Sequence, residues 1–321
     1  MPVPKKQFIA YLKDGEIVDD YFAVKFKKPP TSYQKGYWFE VRLSDKTGEI
    51  TAKYWAGPKI DEVNAIYNSF NNDDVIHIIG KLTAYRDISE ISINPPQGKL
   101  LKVKEYDADD FIGKSQFDTK KLFQELVQFS NSIINSEIKT VVDSFFVKDE
   151  KFIAQFQRFP AAMHLHQNYL GGLVEHTLNV VKICDIISKV YPSLDRDILI
   201  ASAILHDIGK IREFKLGTSI DISEEGMLKG HITIGNEMLV EQMKKLGTST
   251  PISLKLSHMM LSQHGKKEYG SPVQPQMPEG VALYYADDCD SKVNQYLKAK
   301  ADAKTEDSWV YSSRLGHVYL K

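Results

Sequence analysis

The sequence predicts a multi-domain chain, an all-β barrel at the N-terminus followed by an all-α bundle. Three observations predict it. Apolar and polar residues alternate in short runs up to about residue 106. Beyond about residue 117 the apolar residues recur with the spacing of a helix that buries one face. The histidines are also crowded: the chain has nine, and seven of them lie between His164 and His264.

Residues 1–106 read as β. An apolar run at 8–12 is followed by a second at Ile17–Lys27. Over 37–43, Tyr37, Phe39, Val41 and Leu43 share one face, and Trp38, Glu40 and Arg42 the other. Asp45-Lys46-Thr47-Gly48 is a turn with glycine where a positive φ is wanted. Over 49–55, Ile50, Ala52 and Tyr54 alternate with Thr51, Lys53 and Trp55. Residues 58–70 have helical spacing, 74–82 and 85–93 read as two more strands, and 94–98 is a turn cluster near the end of the barrel. About five strands with a helix between the third and fourth is the order of a small Greek-key barrel of the OB type. Such barrels hold single strands by stacking bases on exposed aromatics beside basic residues. Trp38, Arg42, Lys53 and Trp55 fall on one face and are the candidate nucleic-acid-binding residues. The competing reading is that the two tryptophans cover the barrel or an interface. His77, in a β run, reads as structural.

Composition sets limits. Hydrophobic content of 42% and charged content of 26% describe a globular chain. With 41 Lys+Arg against 42 Asp+Glu, the net charge is -1, so any nucleic-acid site is a local patch. Cys184 and Cys289, both in apolar helical contexts, read as buried thiols without a disulfide framework. No segment reaches the roughly 18 apolar residues of a membrane span, so the expectation is no membrane and a cytoplasmic location.

Residues 107–159 read as a helical connector, 160–300 as a helical domain and 301–321 as a tail. His176 falls in the helical segment 173–190, and His206 and Asp207 in the apolar helix 198–211. His231 follows Gly230 at a helix start. His258 lies on a helix over 252–263, and Asp287 on a last helix over 281–297. Imidazole and carboxylate ligands without cysteine suit Mn, Fe, Zn, Co or Ni and exclude a thiolate zinc site. Lys210, one turn on from Asp207, is placed to pair with a phosphate oxygen. Asp290, one turn on from Asp287, is placed to support a ligand histidine.

The order His176, His206-Asp207, Asp287 resembles that of the HD-domain metal-dependent phosphohydrolases, and His231 and His258 resemble the additions of the two-metal subset. More closely, several segments resemble the YhaM family of 3′-5′ exoribonucleases. They are Pro160-Ala161-Ala162 through His166 to Gly171-Gly172-Leu173, Leu205-His206-Asp207-Ile208-Gly209-Lys210, Gly230-His231-Ile232, and Leu261-Ser262-Gln263-His264-Gly265 with Tyr269-Gly270-Ser271-Pro272. The resemblance covers nearly the whole chain, and in the barrel it rests on Ser44-Asp45-Lys46-Thr47-Gly48. It implies an OB domain ahead of an HD domain. It implies two divalent ions, manganese first and Fe, Co, Ni or Zn as alternatives. His176, His206, Asp207 and Asp287 would hold the first ion, and Asp207 would bridge to a second held by His231 and His258. One departure matters: relatives often carry two adjacent histidines where this chain has Gln263-His264, which leaves open whether His258 or His264 completes the second site.

The activity implied is metal-assisted phosphodiester hydrolysis on single-stranded RNA, with single-stranded DNA as a second candidate, in a homo-oligomer. Asp207 and Lys210 would act at the phosphate, and His166 and His264 would contact phosphate or protonate the leaving 3′-oxygen. His164 reads as a surface or core histidine. Two other functions compete: a phosphohydrolase of nucleotides or cyclic dinucleotides, and a nucleic-acid-binding replication factor in which hydrolysis is secondary.

Overall fold

The computed structural model describes residues 4–85, 88–163, 167–303 and 305–321. The chain forms two compact units, residues 1–113 with 216–220, and residues 114–215 with 221–321.

The first unit holds strands β1 (Ile17–Lys27), β2 (Thr31–Tyr33), β3 (Gly36–Asp45) and β4 (Gly48–Trp55), helix α1 (Ile60–Tyr67), then β5 (Val75–Tyr85), β6 (Ile88–Ile93) and β7 (Lys99–Val103). The sheet runs β1-β3-β4-β6-β5, and β5 pairs back onto β1, so five strands close into a barrel. Only β4 and β6 run parallel within that circuit, because α1 carries the chain across between β4 and β5. This is the OB order. The alternation is realised as written: Phe39, Val41 and Leu43 are buried and face Tyr54, Ala52 and Ile50 in register. Closing the sheet removes the free edges of these five strands. Two short strands, β2 and β7, extend the circuit at its rim. The 8–12 run forms a single 3-10 turn at Ile9–Tyr11 instead of a strand.

The second unit holds α2 (Thr119–Asn131), α3 (Ser136–Phe146), α4 (Glu150–Arg158), α5 (Gly172–Val190), α6 (Arg196–Leu205) and the four-residue α7 (Lys210–Glu213). The hairpin β8 (Phe214–Leu216) and β9 (Ile220–Ile222) follows, its residues 216–220 belonging to the first unit, then α8 (Glu224–Leu246), α9 (Thr250–Ser262) and α10 (Pro278–Asp302). A last hairpin, β10 (Trp309–Ser312) and β11 (Gly316–Tyr319), forms the tail. Local sequence sets the helix starts. Asp118, Asn135, Asp149 and Asp195 each accept backbone N–H groups at the first turn of α2, α3, α4 and α6. α5 and α6 are the centre of the bundle: every residue of α6 from Ile198 to Leu205 is buried. Around them pack Phe146, Phe152 and Phe156, with ring centroids 4.9 to 5.2 Å from that of Phe146.

Three expectations are corrected. The helical domain is interrupted by the β8–β9 hairpin, whose strands are too short to show a period. Cys184 is buried as expected, but Cys289 is exposed on α10. The helix expected over 198–211 stops at Leu205, and His206-Asp207-Ile208-Gly209 is a turn. Among the described residues no helix is long and apolar enough to cross a membrane.

Phe146 is 2% exposed and its ring meets three others. Phe146→Ala leaves a cavity in the bundle and is expected to cost about 3–5 kcal/mol, read as a fall in urea midpoint at unchanged slope. A cost under about 1 kcal/mol would mean the aromatic cluster is not part of the stabilising core.

Candidate metal centre

The break after α6 is what builds the site. Within one regular helix, His206 and Asp207 would point about 100° apart. Here His176, His206 and Asp207 can place one ligand atom each within 4.8 Å of one another. All three are fully buried. His176 comes from the first turns of α5, on a face packed against α6 and α10. Asp287 comes from α10, its Oδ1 lying 3.1 Å from His176 Nε2.

The hydrogen bonds decide which imidazole nitrogen is available. His176 Nδ1 donates to Asp290 Oδ2 at 2.7 Å, and His206 Nδ1 donates to the carbonyl of Ala203 at 2.8 Å. Each ring therefore carries a proton on Nδ1 and turns Nε2 inward. The two Nε2 atoms stand 3.3 Å apart. Asp207 Oδ2 is 3.5 and 3.3 Å from the same two nitrogens, while its Oδ1 is 3.7 Å from His231 Nε2. The carboxylate thus presents one oxygen to each side. His231 Nε2 is buried and makes no hydrogen bond among the described residues, while Asp207 Oδ2 also faces the Lys210 ammonium at 2.6 Å. A divalent cation fits this donor set of imidazole nitrogen and carboxylate oxygen.

The charges agree. Burial alone would raise the Asp207 carboxyl, but Lys210, whose Nζ is 2.6 Å away, and His206 hold it well below the usual carboxylate range. Burial likewise opposes ionisation of Asp287, and the hydrogen bond to His176 outweighs it. For His176, burial lowers the imidazole, but the hydrogen-bonded carboxylates of Asp287 and Asp290 raise it to about 9.

The second side is built by α8 and the chain after α9. Gly230, at φ 70°, breaks α8, so His231 starts a fresh helical segment. Its backbone N–H and its Nδ1 both donate to Glu213 Oε1, at 2.9 and 3.0 Å. Gly209 makes this approach possible: a Cβ there would stand 2.0 Å from the His231 carbonyl oxygen. His264, two residues past α9, lies with its ring centroid 5.2 Å from that of His231, and its Nδ1 donates to the Tyr269 carbonyl at 3.0 Å. Burial and the neighbouring His231 push the His264 imidazole down, which suits a neutral ligand.

His258 is not brought to this cluster. It lies on α9, but its Nε2 accepts the backbone N–H of Gln276 at 2.9 Å, so His264 stands beside His231 in its place. Gln263, at 0% exposed, is buried next to it. His166 and His164 lie outside the described residues. His77 pairs with Asp19 on the barrel at 2.9 Å. Glu213 and the carbonyls of Ala203 and Tyr269 had no signal in the sequence, because acceptors that orient a ring carry no spacing rule. Asp290 did: it sits one turn from Asp287, and its carboxylate also accepts from Gln167 at Oδ2 and from Asn179 at Oδ1, at 3.0 and 2.9 Å.

On the barrel, Trp38, Arg42, Lys53 and Trp55 do share one face of β3 and β4. The two indoles stack with centroids 5.3 Å apart, and Tyr33 meets Trp55 edge-on at 5.2 Å. Lys53 is paired with Glu90 at 2.5 Å, and Arg42 with Glu49 at 3.2 Å.

A family model for the HD domain matches residues 173–292. The chain is 30% identical over 285 residues to a Bacillus subtilis (strain 168) protein named 3′-5′ exoribonuclease YhaM, covering 89% of this chain and 88% of that one. A Bacillus velezensis protein of the same name is 30% identical over 281 residues, 87% of this chain and 86% of that one. Among solved structures, an OB domain from Thermoplasma acidophilum aligns with 28% of this chain and 74% of its own at 12% identity and a TM-score of 0.18, too distant to add to the strand order above.

The Asp290 carboxylate fixes the orientation and basicity of His176. Asp290→Asn keeps the shape and removes the charge, and is expected to weaken Mn²⁺ binding about 10–100-fold by titration calorimetry. Unchanged affinity would remove Asp290 from the centre.

Proposed function

This chain belongs to the YhaM family of 3′-5′ exoribonucleases, and we propose that it shortens single-stranded RNA from the 3′ end at a centre for two divalent ions. The metal-dependent 3′-5′ exoribonuclease activity goes with the family and its HD domain. The two-ion detail, the single-stranded substrate and the residue roles are our reading. The observation that carries it is the division of Asp207, with Oδ2 toward His176 and His206 and Oδ1 toward His231.

In this reading His176, His206, Asp207 and Asp287 would hold one ion, and Asp207, His231 and His264 would hold the other. Manganese is the first choice, and iron suits the same ligands. Bound there, divalent cations supply Lewis-acid polarisation of the phosphoryl oxygens and a water-derived nucleophile at neutral pH. The chain does the rest. The Nδ1 hydrogen bonds keep four Nε2 lone pairs aimed inward. Lys210, its stem buried and its ammonium on Asp207, offsets the negative charge that grows on the phosphate. The apolar walls of α5 and α6 exclude bulk water on the inner side and strengthen each of these interactions.

The barrel serves this reaction as a strand holder. Its stacked tryptophans offer a ring surface to unpaired bases. Being on the same polypeptide, it raises the local concentration of RNA ends around the HD domain.

The deciding experiment uses 5′-labelled single-stranded RNA with the purified protein and Mn²⁺, with EDTA, and with Asp207→Ala. A ladder shortening from the 3′ end, absent from both controls, is the expected result. Intact RNA that stays bound would favour a binding factor, and RNA neither bound nor cut would favour a nucleotide phosphohydrolase. Trp55→Ala removes one stacking ring, worth about 1–3 kcal/mol per base. It is expected to weaken RNA binding in EDTA about tenfold or more, measured by fluorescence anisotropy. Unaltered binding would assign the tryptophans to covering the barrel.

A further inference from the structure

We propose that the pocket beside the metal centre receives the 3′-terminal nucleoside, and that Asp288 recognises its free 2′,3′-diol. This rests on the exonuclease reading above.

The pocket has a volume of about 280 Å³, room for a single nucleotide and too little for a duplex end. His264 and Asp287 line it together with Tyr269, Tyr284, Asp288, Ser291 and Lys292. A phosphate at the ligand cluster would therefore place its attached ribose here. Tyr269 is 54% exposed at the rim, which leaves a ring available to a base. The Tyr284 ring is a fixed wall. Gly265, in the left-handed region at φ 74°, lies so close to it that a Cβ would come within 2.6 Å of the ring.

Asp288, adjacent to Asp287 in sequence, lines the same pocket. Among the described residues it forms no ion pair, although Lys292 stands one helical turn on. A half-exposed carboxylate facing a nucleotide-sized pocket repels phosphate, so its use must lie in another part of the substrate. The 3′ terminus is the one position on an RNA strand where both ribose hydroxyls are free and adjacent. A carboxylate can accept from both at once, as an acidic residue does for ribose in dinucleotide sites, and such bonds are charge-assisted. A 2′-deoxy terminus forfeits one of them, and a 3′-phosphate sets like charges together. One side chain would thus favour RNA over DNA, an end over an internal residue, and a hydroxyl end over a phosphorylated one.

The test uses the full-length Mn²⁺-loaded protein and two oligoribonucleotides, identical except that one carries a single 2′-deoxy residue at its 3′ end. kcat/KM is measured for each with wild type and Asp288→Asn, and the affinities for AMP and 2′-deoxyAMP are measured by calorimetry. Wild type is expected to prefer the ribose end about 10–100-fold, and Asp288→Asn to compress that ratio, and the AMP to 2′-deoxyAMP affinity ratio, to about threefold or less. A wild type that shortens both equally, or a variant that keeps the preference in both measurements, overturns the assignment of Asp288 and leaves the exonuclease standing. A wild type that shortens neither overturns the exonuclease reading and this inference with it.

Discussion

Placing imidazoles and carboxylates inside an apolar bundle is the constraint that the second unit answers to. Stripped of water, each such group destabilises the fold unless its partners replace the hydration it loses. The structure meets this by giving the four clustered histidines an outer acceptor: a carboxylate for His176 and His231, a carbonyl for His206 and His264. The outer bonds stabilise, and they also orient, because a ring tied at Nδ1 has only Nε2 left to offer. Stability and ligand geometry are therefore the same set of contacts.

The two units solve different problems. The barrel closes on a core of aliphatic and aromatic side chains and keeps its polar chemistry outside. Its cations on the tryptophan face are each engaged by a glutamate, so that face offers rings and hydrogen bonds more than free positive charge. A surface of that kind holds a strand by contact, with modest dependence on salt. The bundle does the reverse, with its chemistry inside and its long apolar helices as the wall.

Much of this was legible in the sequence. Period-two alternation over 37–43 and 49–55 reports which face of a strand is buried, and β3 and β4 bury those faces. The histidine and aspartate motifs mark the elements that meet. Periodicity reports faces, however, and not partners. It could not show that the helix ends at Leu205, since His206 and Asp207 sit in the same apolar stretch and only the closure of the turn separates them. It could not choose between His258 and His264: both are near the end of α9, and the choice depends on a backbone amide, Gln276, that takes up the His258 ring. Strands of three or four residues, β8 to β11, are shorter than any period that could reveal them.

The cluster also has a history in time. His176 and the Asp290 that steadies it are 114 positions apart in the chain, and α10, which carries Asp287 and Asp290, is made after the elements that carry His176, His206, Asp207 and His231. A nascent chain that has not yet released α10 therefore leaves His176 without the Asp287 and Asp290 carboxylates that face it.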